Sequence, residues 1–412
     1  MRFAQYNFSE NLIQNLTNLG FKRPTDIQFK AIPSIIKGED VLAIAQTGTG
    51  KTAAYAIPVI EILNRNNIEV FENSIRCLIM VPTHELAMQV CEVFEILCKG
   101  LNINVLGIYG GVNIEPQTKK LKKGVDVLIA TPGRLFDLEH QKFLSLNNVE
   151  FLVIDEADRM FECGFIEQMH HLITKLPRKR QTLFFSATIS KEIKDLAYSM
   201  VNNAVRIQIS PKDTVSKTIN HSVIFVEMDD KRFFAERIIK ENAEKKFLIF
   251  VRTKIRAERV CKALERVGII SETMHSDKNQ SQRDNVMKSF KNGKSKILIA
   301  TDISARGIDI PDIDIVINYD LPEQAENYVH RVGRTGRADR KGTAISFCSI
   351  EEKELLNEIQ GFINNEIKVI KMNNADYEQT IDLSENSEHD WQALIDEDEN
   401  FKKKCKKKCK KK

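Results

Sequence analysis

Short runs of mainly apolar residues recur at 41–45, 77–81, 104–109, 125–130, 151–154, 182–185 and 205–209. They do not alternate apolar with polar, so they predict strands covered on both faces, as in a parallel sheet between layers of helices. Stretches such as 9–19 and 52–63 carry apolar residues at helical spacing. A polar, turn-rich segment, SPKDTVSKT at 210–218, then interrupts the pattern. It begins again with strand-like runs at 221–226, 247–251, 269–274, 297–300, 313–318 and 343–348, alternating with helical stretches such as 254–267 and 281–290. This predicts an α/β chain of two tandem parallel-sheet domains, 1–208 and 219–372, joined by a linker at 209–218. Residues 373–412 are poor in apolar residues apart from Trp391 and a few neighbours, which predicts a disordered tail.

A length of 412 residues agrees with two cores rather than one. With 42% hydrophobic and 29% charged residues, the composition is that of a soluble globular protein. No apolar run reaches the roughly 18 residues of a membrane span, and residues 1–14 lack the apolar core of a signal peptide. The expectation is a cytoplasmic protein without membrane contact. Eight cysteines fall singly at 77, 91, 98, 163, 261, 348, 405 and 409, with no CxxC pair. That predicts reduced thiols, not zinc ligands or disulfides. The net charge of +4 conceals an asymmetry: 376–400 holds ten acids and no Lys or Arg, whereas 402–412 holds nine lysines. Residues 1–375 are therefore only mildly basic, and any nucleic-acid binding must come from a local groove. The lysine run reads either as a solubilising end or as a sequence-blind RNA tether.

Candidate chemistry concentrates where the strands end. AQTGTGKT at 45–52 lies between a strand-like run and a helical one. Gly48 and Gly50 let the chain turn and aim backbone N–H groups at an anion, while the following helix start adds its positive dipole end. Lys51 would reach terminal phosphates, and the Thr52 hydroxyl would ligate Mg²⁺. Ala45 stands where the strict phosphate-loop pattern has its first glycine. Far downstream, the run at 151–154 ends in Asp155-Glu156-Ala157-Asp158. Asp155 is placed to hold Mg²⁺ through its waters, and Glu156 to orient and deprotonate an attacking water.

In GFKRPTDIQ at 20–28, Gln28 could read the N6 and N7 edge of adenine, and Phe21 could stack on the base. The same stretch also fits a plain helix-turn-helix with a core phenylalanine. PTHELAMQ at 82–89, Gly110-Gly111 and TPGR at 131–134 each follow a strand-like run. Thr83, Gly111, Thr131 and Arg134 offer hydroxyls, bare backbone and a guanidinium, which suits sugar-phosphate contacts. The hydroxyls of Ser186-Ala187-Thr188 could couple the acidic motif to a neighbour or simply cap a helix. The second domain has no phosphate loop; its strand ends carry ATDISARGID at 300–309 and HRVGRTGR at 330–337. Arg334 and Arg337 are spaced to enter another domain's phosphate site.

This ordered set of nine motifs, covering roughly residues 1–350, resembles the DEAD-box RNA helicase family of superfamily 2. The run YDLPEQAENYVHRVGRTGRADRKGTAISFC looks most like the bacterial RhlE subgroup. The resemblance implies two RecA-like domains that close over ATP and single-stranded RNA. It carries adenine recognition onto Phe21 and Gln28, with Phe3 as an upstream aromatic. Triphosphate binding falls on Ala45, Gln46, Thr47, Gly48, Thr49, Gly50, Lys51 and Thr52, Mg²⁺ on Thr52 and Asp155, and water activation on Glu156. Arg334 and Arg337 become arginine fingers, Asp309 a ribose contact, and Thr301 an RNA contact beside Thr83, Gly111, Thr131 and Arg134. Ala45 agrees with the family's own usage. His84 does not, since the family usually has Arg there, and an imidazole cannot replace a permanent guanidinium. Ser276 and Cys163 also depart from the usual pattern, away from the chemistry. The implied function is an ATP-dependent RNA helicase that opens short duplexes or remodels RNA–protein complexes, ribosomal ones among them, as a monomer. The alternative is an ATP-gated RNA clamp or annealer.

Overall fold

The computed structural model describes residues 2–45, 48–66, 68, 70–209, 218–302, 313–336, 341–371 and 373–385. In the first domain, Val41–Ile44 (β1), Ile75–Met80 (β2), Val105–Ile108 (β3), Val125–Ala130 (β4), Phe151–Ile154 (β5), Gln181–Ser186 (β6) and Val205–Gln208 (β7) form one sheet. Its order is β3-β4-β2-β5-β6-β1-β7, and every pairing is parallel. Every residue of β1, β2, β4, β5 and β6 is buried. Alternate residues of one strand feed opposite layers. Cys77, Ile79, Val153 and Leu183 belong to one core, whereas Leu78, Met80, Leu152 and Phe184 belong to the other. Burying each such aliphatic side chain stabilises the fold by about 1.5–3 kcal/mol, which explains the unbroken apolar runs.

The second domain repeats the plan. Ile219–Phe225 (β8), Phe247–Phe250 (β9), Glu272–Met274 (β10), Ile297–Ala300 (β11), Ile315–Asn318 (β12), Gly342–Cys348 (β13) and Lys368–Val369 (β14) assemble in the order β10-β11-β9-β12-β13-β8-β14. All pairings are again parallel. The strand expected from 269 starts only at Glu272. The helix Lys254–Arg266 ends in a Schellman-type cap, with Gly268 at φ +76°, its N–H donating to Glu265 O and the Ile269 N–H donating to Leu264 O. Ile269 is thereby spent on the cap, and Ile270 is left 75% exposed.

The expected tail boundary also shifts. Asn374–Glu385 is a helix, so the disorder expected from 373 does not hold for these residues. Tyr377 and Ile381, one helical turn apart, pack on the second domain's core, and the Tyr377 hydroxyl donates to Asp230 Oδ2 at 2.7 Å. Two apolar positions sufficed to dock a helix on an existing surface, which a count over forty residues does not register. The linker segment 210–217 and the acidic and lysine-rich run 386–412 lie outside the described residues. Cys77, Cys98 and Cys348 are buried thiols, Cys91 and Cys261 half-buried and Cys163 exposed; none is in a disulfide. Among the described residues, no helix is long and apolar enough to cross a membrane.

Candidate active site

Strand order brings the separated motifs together. β5, β6 and β1 are neighbours, so the segments after their carboxyl ends share one edge of the sheet. These are the acidic run, Ser186-Ala187-Thr188 and the phosphate loop. The register Ile44↔Ser186 and the bond from Ala45 N to Ser186 O (3.0 Å) align two of them directly. Gly48 and Gly50 adopt φ of +80° and +88°, which side-chain-bearing residues rarely tolerate. At Gly50 space is short as well, since a Cβ would meet Gln28 Nε2 at 2.5 Å. The helix Lys51–Asn66 starts at once, placing its N-terminus behind the turn. Lys51 is only 6% exposed, yet its Nζ has no hydrogen-bond partner among the described residues. An ammonium in such a place costs free energy unless an anion meets it, which fits a terminal phosphate. Gln46 and Thr47 lie outside the described residues.

Gln28 is buried, and its amide is engaged within the protein. Oε1 accepts from Thr25 N (3.0 Å), closing a capping box, while Nε2 donates to Gly50 O (3.1 Å). The residue expected to read a base is thus also a strut between its own helix and the phosphate loop. Phe3 is corrected: at 3% exposure it lies in the core, edge-on to half-buried Phe21 with centroids 5.9 Å apart. It braces Phe21 and presents no open face to a base.

Asp155 is buried at the end of β5. Its Oδ2 accepts from the Tyr55 hydroxyl (2.8 Å) and its Oδ1 from Glu156 N (2.9 Å). Burial raises its pKa to about 6, with Lys51 opposing the rise and Glu156 adding to it. Glu156 sits at φ +50°, ψ +52°, left-handed backbone that is uncommon for a residue with a side chain. Burial would raise its pKa, but the Arg159, Lys51 and Arg334 cations outweigh it and hold the carboxyl below its usual range. Arg159 Nη1 lies 3.3 Å from Glu156 Oε2. A charged carboxylate with a fixed direction can take a proton from a water in front of it.

Asp158 couples the acidic run to Ser186-Ala187-Thr188. Its Oδ2 accepts from the backbone N–H of Ala187 and of Thr188, both at 3.3 Å, and its own N–H donates to Ser186 Oγ (3.2 Å). A concavity beside it is lined by Glu156, Asp158, Arg159, Ala187, His330 and Arg334. The last two come from the second domain, where the helix Ala325–Val332 ends at Gly333 and delivers Arg334, 7% exposed, into the first domain's site. Arg337 and Asp309 lie outside the described residues.

The other half of the first sheet carries a different set. β2, β4 and β3 are adjacent, and Thr83, Thr131 and Gly111 follow their ends. Thr83 Oγ1 caps the helix His84–Leu97 by accepting from Leu86 N (3.3 Å), and Thr131 occupies the N-cap of Pro132–His140. Arg134 Nη2 donates to Val112 O (3.0 Å), which ties TPGR to the double-glycine loop. Across the cleft, Gln280 approaches Gly111, where a Cβ would come within 3.3 Å of it, and Arg283 pairs with Glu85 at 2.7 Å. Thr301 directly follows β11, its N–H donating to Met274 O (3.3 Å). His84 is 9% exposed and stacks on Tyr109, centroids 3.8 Å apart. Gln280 lies beside the ring, but neither nitrogen makes a hydrogen bond of ordinary geometry.

Residues 25–196 match the DEAD/DEAH box helicase model, and 230–339 match the helicase conserved C-terminal domain. The ATP-dependent rRNA helicase RRP3 of Candida glabrata is 40% identical over 367 residues, 89% of this chain and 73% of that protein. The chain belongs to the DEAD-box RNA helicase family. The ATP-dependent RNA helicase DeaD of Buchnera aphidicola is 39% identical over 378 residues, which is 92% of this chain; the chain spans 62% of that relative's length. The fold is similar to that of S. cerevisiae Dbp5 bound to RNA and ADP BeF3, with a TM-score of 0.78 at 27% identity, covering 94% of this chain and 99% of that one.

Several residues that shape the site of this DEAD-box protein carry little or no signal in its sequence. Arg331 is 2% exposed and clamps Asp302 with two bonds of 2.6 and 2.7 Å, while its Nη1 donates to Asp320 O. It ties the helix that precedes Arg334 to Asp302 and so fixes where Arg334 emerges. The only sequence signal was its place between His330 and Arg334, which does not separate a buried clamp from a finger. Tyr55 is hidden in a helical pattern, because the Asp155 it meets is a hundred residues away; Arg159 meets Glu156 three residues before it, across a left-handed backbone that the sequence does not announce.

Proposed function

We propose that the chain hydrolyses ATP between its two domains and couples that cycle to gripping and releasing single-stranded RNA, opening short duplexes locally or remodelling RNA–protein complexes. The observation that carries this reading is Arg334 of the second domain lining the same concavity as Glu156 of the first. Turnover then requires closure, because base and guanidinium reside on different domains. Lys51 neutralises terminal phosphate charge, Glu156 takes the proton of the attacking water, and Arg334 stabilises negative charge gathering on the transferred group. Thr52 and Asp155 would hold Mg²⁺, which when bound offsets phosphate charge as a Lewis acid. Thr83, Gly111, Thr131, Arg134 and Thr301 supply backbone-directed RNA contacts. The free thiols of the described cysteines support action in a reducing compartment such as the cytoplasm, and the one-chain cleft supports a monomer.

The test is release of a labelled strand from short RNA duplexes of increasing length. Release with ATP, falling steeply with duplex length, is expected. RNA-stimulated hydrolysis without release at any length would establish the clamp reading instead.

His84 makes closure sensitive to pH. In the closed arrangement its pKa is lowered, first by burial, with Arg283 also lowering it while Gln280, Glu85 and Asp284 oppose. With the domains apart the ring loses the cover given by Gln280 and Arg283, and its pKa moves back toward the ordinary value near 6.5. A lowered pKa on a base means that closing expels the proton, so the closed state loses stability as pH falls through about 6.5. RNA affinity in a non-hydrolysable ATP analogue is expected to weaken up to about tenfold per pH unit below that point, one proton being involved. His84→Gln should flatten this fall in an anisotropy titration from pH 8 to 5.5.

A further inference from the structure

Tyr55 is wholly buried on the helix that follows the phosphate loop, 5.2 Å from Phe185 and 6.3 Å from Phe94 between ring centroids. A phenylalanine would satisfy that packing, so the packing does not account for the hydroxyl. A buried hydroxyl costs free energy unless partnered. Here it donates to Asp155 Oδ2 at 2.8 Å, from a position three residues after Thr52 on the same helix. That bond ties the helix carrying Thr52 to the carboxylate beyond β5, and so joins the two elements whose side chains are proposed to hold the cation. The other Asp155 oxygen is taken by Glu156 N, so the carboxylate cannot rotate without losing a bond. A phenol is protonated at neutral pH, so the hydroxyl is available as a donor to the carboxylate.

We propose that Tyr55 is a positioning residue that sets Thr52 and Asp155 in register for a divalent cation. The inference rests on the reading of those two residues as cation ligands. Partners of this kind orient a ligand carboxylate, and their loss typically costs about 10- to 100-fold in metal affinity. Tyr55 itself touches neither nucleotide nor cation; it acts through Asp155.

The test is equilibrium binding of a fluorescent ADP analogue to the full chain as Mg²⁺ is titrated, without turnover. Tyr55→Phe is expected to raise the half-saturating Mg²⁺ about 10- to 100-fold while nucleotide affinity in chelator stays as in the wild type. ATPase kcat should recover at high Mg²⁺, a split that a merely structural role would not give. Thermal unfolding checks that the variant folds, and Tyr55→Trp, whose indole N–H can still donate, should retain part of the Mg²⁺ affinity if it folds. Asp155→Asn serves as the reference. An unshifted Mg²⁺ midpoint in Tyr55→Phe beside a large shift in Asp155→Asn overturns the role of Tyr55. No shift in either variant overturns the ligand assignment itself.

Discussion

Glu156→Gln is expected to bind ATP as the wild type does and to lose about 10²- to 10⁴-fold in RNA-stimulated turnover. The amide is isosteric and keeps the left-handed backbone at 156, so the cleft should retain its shape. Lys51 and Asp155 still hold their places, and only the proton acceptor is gone. Arg159 loses a charged partner, but an amide oxygen can still accept from it. Because the cycle stalls before release, RNA should stay bound for much longer in ATP. Single-turnover hydrolysis together with RNA dissociation kinetics checks both halves. Turnover near wild type would remove Glu156 from the role of base.

Arg334→Ala is expected to lower the ATPase rate by about 10³- to 10⁵-fold, roughly 4 to 7 kcal/mol in the barrier, as for a guanidinium that stabilises the charge developing on the transferred group. Nucleotide affinity of the open form should change little, because the phosphate loop belongs to the first domain. Arg334→Lys should recover only part of the loss, since an ammonium cannot reproduce the planar fork. Steady-state kinetics at saturating RNA, with melting temperature as the folding control, separates this from misfolding. A rate within a few-fold of wild type would place Arg334 outside the chemistry and remove the case for closure-dependent hydrolysis.

These residues differ in how visible they were. Gly48, Gly50, Lys51, Asp155 and Glu156 stood out because phosphate binding and water activation need particular residue types at fixed local spacing. Strands buried on both faces were legible for a similar reason: a two-sided core leaves no polar positions to blur the run. The helix Asn374–Glu385 was missed because two docking residues are too few to alter local composition. Phe3, expected with Phe21 and Gln28 at the adenine, lies in the core instead, because a sequence does not show which aromatic rings a core will claim.

The sequence by itself determined two α/β domains, a phosphate loop with a distant acidic partner, and a family. All of these depend on residue type and short-range order. Only the tertiary structure decided that β5, β6 and β1 lie side by side, which puts the acidic run against the phosphate loop and Asp158 on the Ala187 and Thr188 amides. It also decided that Gln28 spans to Gly50, that Arg331 is a clamp and Arg334 a visitor to the other domain, and that Tyr55 reaches Asp155. Each of these depends on strand order and domain placement. Those are set by summed burial over hundreds of side chains, and no local pattern records them.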